Sequence, residues 1–296
     1  MTEPLLDSEF LRELEVLRRR LESRARSGGL GDGESPRRGG SAEFQEHRPY
    51  TPGDDPRRID WLAYARSGVP VTKLFRAEED TVVRILLDAS ASLDFGNPTK
   101  IETSKRFAAA VAYLTLCAGH RAELAVARET ERGRSLEPLT RASRGKGSAP
   151  ALLRSLSAVQ ARGRGDLARA LRIAQESAKR PGLFVVVSDF LDAGPVTDVL
   201  GQAHAAGHDV ALVHVLDPTE LEPELGGDFE LVDAETGEAL NVTLDATAIE
   251  TYLLRLFGLA EELRAWARRH GAVYLRMTTD EALLPVMRRF VTRSID

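Results

Sequence analysis

Residues Thr81 to Ser92 read TVVRILLDASAS, and the reading of this stretch decides the fold. Val82, Val83, Ile85, Leu86 and Leu87 form a nearly continuous β-branched and apolar run, the pattern of a strand covered on both faces of a parallel sheet. The run stops abruptly in polar residues. Asp88, Ser90 and Ser92 set one carboxylate and two hydroxyls just past the strand's carboxyl end, where open α/β sheets collect ligands. All three donors are oxygens, which suits a hard cation such as Mg²⁺. Asp and Ser also cap helices, so the alternative is that they only start the helix that follows.

A second run, LFVVVSDF, repeats the layout: a buried strand over Leu183 to Val187, then Ser188 and Asp189. Between and after these strands the pattern alternates. Helices fit Pro98 to Gly119, Pro150 to Gln160, Asp166 to Lys179, Pro195 to Ala206, Asp245 to His270 and Thr279 to about Arg293. Further strands fit Ala122 to Arg128, continuing to Leu139 as a hairpin through Gly133, then Asp209 to Leu216 and Ala272 to Arg276. Residues Arg141 to Ser148 read as a flexible basic loop, and alternation around Thr236 and Gly237 marks a β-hairpin insertion near 226–243. Strands alternating with helices over 81–296 predict an α/β domain with a doubly wound, mainly parallel sheet.

Ahead of it, residues 1–80 form an N-terminal extension. Leu6, Phe10, Leu11, Leu14, Leu17 and Leu21 recur at helical spacing within an amphipathic helix from about Leu5 to Arg26. The Gly- and Ser-rich stretch Ser27 to Ser41 reads as a loop with a basic pair, Arg37 and Arg38. Then Glu43 to Gly68 reads EFQEHRPYTPGDDPRRIDWLAYARSG, with a turn signal at Pro52 and Gly53, a helical look from Asp60 to Arg66, and a strand at Val71 to Phe75 beyond it. Asp54, Asp55, Arg57, Arg58, Asp60 and Arg66 are positioned to interlock as carboxylate–guanidinium pairs around Trp61, forming a structural clasp. Alternatively Arg48, Tyr50, Asp54, Asp55, Arg57, Asp60, Trp61 and Arg66 form a partner-docking surface.

Composition narrows the function. The 296 residues carry a net charge of −5 with 29% charged residues, which argues against general nucleic-acid binding. The single cysteine, Cys117, excludes an intrachain disulfide and a thiolate zinc site. No signal-type segment opens the sequence, and the longest uncharged apolar run, Phe107 to Gly119, is shorter than the ~20 residues that span a bilayer; a cytoplasmic location is expected. A dinucleotide loop, a phosphate loop, a Gly-x-Ser-x-Gly elbow and an HExxH pair are all missing from the sequence.

Two carboxylates at the ends of buried strands, Asp88 and Asp189, with Ser90 and Ser92 beside them, make an oxygen cluster for one divalent cation if the strands converge. Asp88, Ser90 and Ser92 resemble the Asp-x-Ser-x-Ser signature of von Willebrand factor A domains, whose metal-ion-dependent adhesion site binds Mg²⁺, and Asp189 resembles the later Asp of that site. RPYTPGDDPRRIDWLAYAR resembles the hallmark of the bacterial family known as domain of unknown function 58. That resemblance implies a non-enzymatic, chaperone-like or regulatory protein acting with a MoxR-type AAA+ ATPase. The chain departs from the family at Arg164, Gly165, Asp166 and Leu167, where Gly165 stands in place of the usual Thr ligand. Three functions follow: a Mg²⁺-dependent protein-binding module with a degenerate site, a metal-independent scaffold with a vestigial site, or a metal-assisted hydrolase using Asp88 and Asp189.

Overall fold

The structure, a computed structural model, describes residues 5–27, 42–51, 54–77, 81–130, 133–191, 193–223 and 226–293. The expected loop with Arg37 and Arg38 and the expected turn at Pro52 and Gly53 lie outside the described residues. Contacts divide the chain into two compact units, one of Met1–Gly28 with Thr81–Asp296 and the other of Gly29–Asp80. The grouping expected from the sequence, 1–80 against 81–296, is corrected in one respect: the N-terminal helix α1 (Ser8–Ser27) goes with the large sheet. The reason is its apolar stripe, which buries Leu14 completely among residues of that unit's core.

In the smaller unit, β1 (Ala42–Pro49), a short helix α2 (Trp61–Ser67) and β2 (Val71–Ala77) are joined by an antiparallel β1–β2 pairing running from Ala42 opposite Ala77 to Pro49 opposite Val71. A charged sequence ending in proline, AEFQEHRP, gives no strand signal of its own; the pairing with β2 supplies it. Asp60 caps α2 by accepting from the Leu62 and Ala63 amides, and Gly68 ends it at φ +70°.

The larger unit continues through β3 (Val82–Asp88), α3 (Lys100–Cys117), β4 (Arg121–Ala127), β5 (Leu136–Arg144), α4 (Ala149–Ser157), α5 (Leu167–Ser177), β6 (Leu183–Ser188), α6 (Ala193–Ala205) and β7 (Asp209–Leu216). After these come α7 (Pro218–Leu221), β8 (Gly227–Val232), β9 (Ala239–Leu244), α8 (Ala246–Arg269), β10 (Val273–Thr278) and α9 (Leu283–Arg293). Six strands form one sheet in the order β10-β7-β6-β3-β4-β5, parallel except for β5, while β8 and β9 pair separately as the expected hairpin.

Both faces of the sheet are covered, as the apolar runs predict. Val83, Ile85 and Leu87 pack with Phe107 of α3, Leu152 and Leu156 of α4, Leu14 of α1 and Phe290 of α9. Leu86 and Val186 face the other way, toward Leu171 of α5, Leu200 of α6 and Trp266 of α8. Each of these buried side chains contributes up to about 1.5–3 kcal/mol relative to exposure. The alanines at 108, 109, 110 and 112 are wholly buried and bring α3 close to the sheet.

The expected basic loop at Arg141 to Ser148 is corrected: Arg141 to Arg144 belong to β5, which runs antiparallel to β4 at the sheet edge. Its polar, half-exposed side chains suit an edge that must not recruit another strand, and for that reason they read as loop.

The strand order places the site. From β3 the chain builds outward through β4 and β5, then crosses back to lay β6, β7 and β10 on the other side. The reversal falls between β3 and β6, and the crevice at their carboxyl ends is where such sheets bind ligands. Leu87 pairs with Val187, so Asp88 lies level with Ser188 and Asp189 one residue beyond.

Candidate functional site

Asp88, Ser90, Ser92 and Asp189 meet at that crevice in one hydrogen-bonded chain. Ser188 Oγ donates to Asp88 Oδ2 at 2.6 Å, and the Ser90 amide donates to Asp88 Oδ1 at 3.0 Å. The Ser90 and Ser92 hydroxyls lie 3.0 Å apart, and Ser92 Oγ donates to Asp189 Oδ2 at 3.0 Å. Asp88, Ser90 and Asp189 are buried, at 5%, 2% and 2% exposure. Phe190 follows with φ 51°, a left-handed conformation that costs a non-glycine residue about 1–2 kcal/mol. Its amide donates to Ser188 Oγ, tying this sharp turn to the chain of bonds around Asp88.

The capping alternative does not account for these residues. Helix α3 has its own cap, in which Thr99 and Glu102 bond reciprocally, and Ser90 makes no side-chain cap bond to the short 3₁₀ turn that follows it.

Burial first, and the neighbouring Asp189 charge second, push the Asp88 carboxyl up to about 6, against hydrogen bonds that favour its charged form. The sequence reading missed how Asp189 is compensated. Lys100, the first residue of α3, is 1% exposed, and its Nζ donates to Asp189 Oδ2 and to Glu220 Oε1, each at 2.9 Å. Burial alone would lower this lysine, but the two carboxylates outweigh it and hold the ammonium above its usual range. A signal was present: a cation in the first turn of a helix opposes the helix dipole, so it needs an anionic partner. Beneath the site, His214 Nδ1 lies 3.0 Å from the Tyr274 hydroxyl, and burial pushes its imidazole down to about 4.

The α5 loop supplies Gly165 and Asp166. Asp166 caps α5 by accepting from the Arg169 amide at 2.8 Å. A Cβ on Gly165 would lie 2.8 Å from Ser90 Cβ and 3.6 Å from Asp88 Oδ1, so the backbone approaches too closely for a side chain here. Instead the Gly165 amide donates to Glu235 Oε2 at 3.3 Å, from the turn between β8 and β9. Asp88, Ser90, Ser92, Gly165, Asp189 and Glu235 all line a crevice of about 550 Å³. Burial, and after it the Asp189 and Asp233 charges, raise the Glu235 carboxyl, opposed by the Gly165 amide and the Ser90 side chain.

The docking candidates lie in the other unit. Arg48 pairs with Asp54 at 2.6 Å, and Asp60 Oδ2 lies 2.9 Å from His47 Nε2. Asp54 accepts from the Thr51 amide, Asp55 from the Arg57 amide, and Asp60 from two amides of α2. Beside these side-chain pairs the carboxylates also hold backbone turns, because an aspartate just before a helical turn captures its free amides, and the Arg58 side chain of the expected interlocking around Trp61 lies outside the described residues. Trp61 is 60% exposed and edge-on to Tyr64, whose ring centroid is 6.2 Å away. Tyr50 bonds through its amide to the Pro70 carbonyl, and Arg57 and Arg66 are exposed.

The converging donors are two carboxylates and two hydroxyls, with a like-charge pair that a cation would relieve; this set fits a hard divalent ion. Among the described residues no group of three or more His, Cys, Asp or Glu side chains could hold a metal, so the hydroxyls are essential to any such site.

A family model described as "Protein of unknown function DUF58" matches residues 46–256. The chain is 32% identical over 259 residues to the uncharacterized protein Rv1480 of Mycobacterium tuberculosis, covering 86% of this chain and 80% of that one. Among solved structures it is similar to the conserved hypothetical protein BatB from Bacteroides thetaiotaomicron, with TM-score 0.46 and 12% identity over 73% of this chain and 100% of the other. It is also similar to a von Willebrand factor type A protein from Catenulispora acidiphila, with TM-score 0.39 and 12% identity over 77% of this chain and 43% of that one.

Proposed function

We propose that this chain, which belongs to the family described as protein of unknown function DUF58, is a non-enzymatic protein-binding module that presents its strand-end crevice to a carboxylate on a partner. The convergence of Asp88, Ser90, Ser92 and Asp189 between β3 and β6 carries this reading. These four residues would hold Mg²⁺. When bound, the ion supplies an open coordination position for the partner's acid. The partner class implied by the family resemblance is a MoxR-type AAA+ ATPase in the cytoplasm, with the exposed Trp61, Arg57 and Arg66 offered as a second docking surface. Among the described residues no helix is long and apolar enough to cross a membrane.

A specific observation favours a second reading. Lys100 already gives Asp189 a cation, as a metal-independent scaffold would require. Hydrolysis has less support, since the imidazole at this end of the sheet, His214, is buried and engaged with Tyr274. Calorimetric titration of Mg²⁺ into wild type and Asp88→Asn separates the first two readings: Asp88-dependent heat supports the cation-bearing module, and its absence supports the scaffold. Equal capture of a purified MoxR-type ATPase by wild type and Asp88→Asn, with Mg²⁺ present, would falsify the role of the crevice in partner binding.

A further inference from the structure

The hairpin of β8 and β9 has an apolar face that the rest of its unit only half covers. Phe229 pairs with Val242 and Leu231 with Leu240, so alternation sets all four side chains on one face. Phe229 and Val242 are half-buried, whereas Leu231 is 45% and Leu240 65% exposed. A two-stranded hairpin is marginal in water unless a further element packs on its apolar face.

Leu231 and Val242 line a groove of about 1340 Å³, built from other residues than the crevice. Ile249 and Tyr252 of α8, with Phe95 and Pro223, supply further apolar lining. Phe95 is 48% exposed, and it is anchored: Lys100 Nζ lies 5.7 Å from the centre of its ring, a cation–π contact. Apolar residues exposed singly mean little, but several gathered in one concavity mark a binding surface.

The charges on the lining choose the occupant. Glu220, Glu222 and Asp245 stand against one guanidinium, Arg255. Lys100 neutralises Glu220, which leaves Glu222 and Asp245, both exposed. Asp245 also caps α8 by accepting from the Ala248 amide, and it keeps its charge in doing so. A symmetric pairing of two copies would set these carboxylates against one another. An apolar floor with excess carboxylate at its rim suits a segment that carries apolar side chains beside lysine or arginine.

We infer that the groove between the β8–β9 hairpin and α8 docks a short amphipathic segment of a partner protein. Its apolar side chains lie on Leu231 and Tyr252, and its lysine or arginine meets Glu222 and Asp245.

The test selects a random peptide library, displayed on phage, against the full chain. The most enriched peptide is then labelled and titrated into wild type, Leu231→Ser and Glu222→Lys by fluorescence anisotropy. The titrations are run in EDTA, since the groove needs no cation. Enriched sequences should combine apolar residues with lysine or arginine. Leu231→Ser should bind about tenfold more weakly, and Glu222→Lys about fivefold more weakly with a smaller salt dependence. Leu231 and Glu222 are exposed, so unchanged melting temperatures verify both folds. Acidic enriched sequences, no enrichment at all, binding that appears only with Mg²⁺, or equal affinity for all three proteins overturns the inference. So does sedimentation that finds wild type dimeric and Leu231→Ser monomeric, because a second copy then fills the groove.

Discussion

Lys100 is buried and bonds two carboxylates, so its loss is expected to be costly. Replacing it with methionine keeps the length of the stem and removes the ammonium that bonds Asp189 and Glu220 at 2.9 Å. Glu220 keeps a bond, because its Oε2 accepts from the Asp217 amide, and it is the more exposed acid, at 14% of its side chain. Asp189 keeps only the Ser92 contact among the bonds described above, and its side chain is 3% exposed. Stripping one partner from a buried ion pair costs about 3–5 kcal/mol, chiefly the stranded charge. For a unit of this size that lowers the melting temperature on the order of 10 °C. The assay is urea denaturation followed by circular dichroism, in chelator, on Lys100→Met, Asp189→Asn and the double variant. The double variant should recover most of the Lys100→Met loss, since it removes the stranded charge. Mg²⁺ should also stabilise Lys100→Met more than wild type, because the ion then has no ammonium to compete with. A Lys100→Met loss below about 1 kcal/mol, the worth of an exposed pair, would refute the reasoning.

Two further outcomes follow from groups around the site. Burial holds His214 near 4 in the fold, below its unfolded value of 6.5, so the unfolded chain takes up a proton first as pH falls through that window. Stability should therefore fall by about 3 kcal/mol between pH 7 and pH 4 on this group's account. Denaturation midpoints across that range should show a shallower acid slope in His214→Gln; an unchanged slope counts against the assignment. Gly165→Thr restores the family residue on paper, yet its Cβ would lie 2.8 Å from Ser90 Cβ. It should destabilise the protein by about 1–3 kcal/mol without raising Mg²⁺ affinity, as denaturation and calorimetry on the same sample would register.

Much of the fold was legible because strands buried on both faces need continuous apolar runs, and β3, β6 and β7 have them. The four oxygen donors were legible too, since each follows the end of such a run and parallel neighbours share an edge. Lys100 and Glu220 were not. They lie 120 residues apart, and the one local signal, a cation in the first turn of α3, says that Lys100 needs an anion without saying which. Glu235 was hidden in the same way: the hairpin could be read, but where its tip points is set by tertiary packing. The strands β1 and β5 were missed or shortened because one sits in a two-stranded pair and the other at a sheet edge, where burial does not dictate an apolar sequence.

The reversal of strand order between β3 and β6 bears on how the protein is made. Asp88 emerges from the ribosome about a hundred residues before Asp189, and the two become neighbours only when β6 docks beside β3, after β4, β5 and the intervening helices have been synthesised. A chain halted before residue 189 owns half a crevice. The four oxygens stand together only once β6 lies beside β3, while β7 and β10 are still to be added to the same sheet.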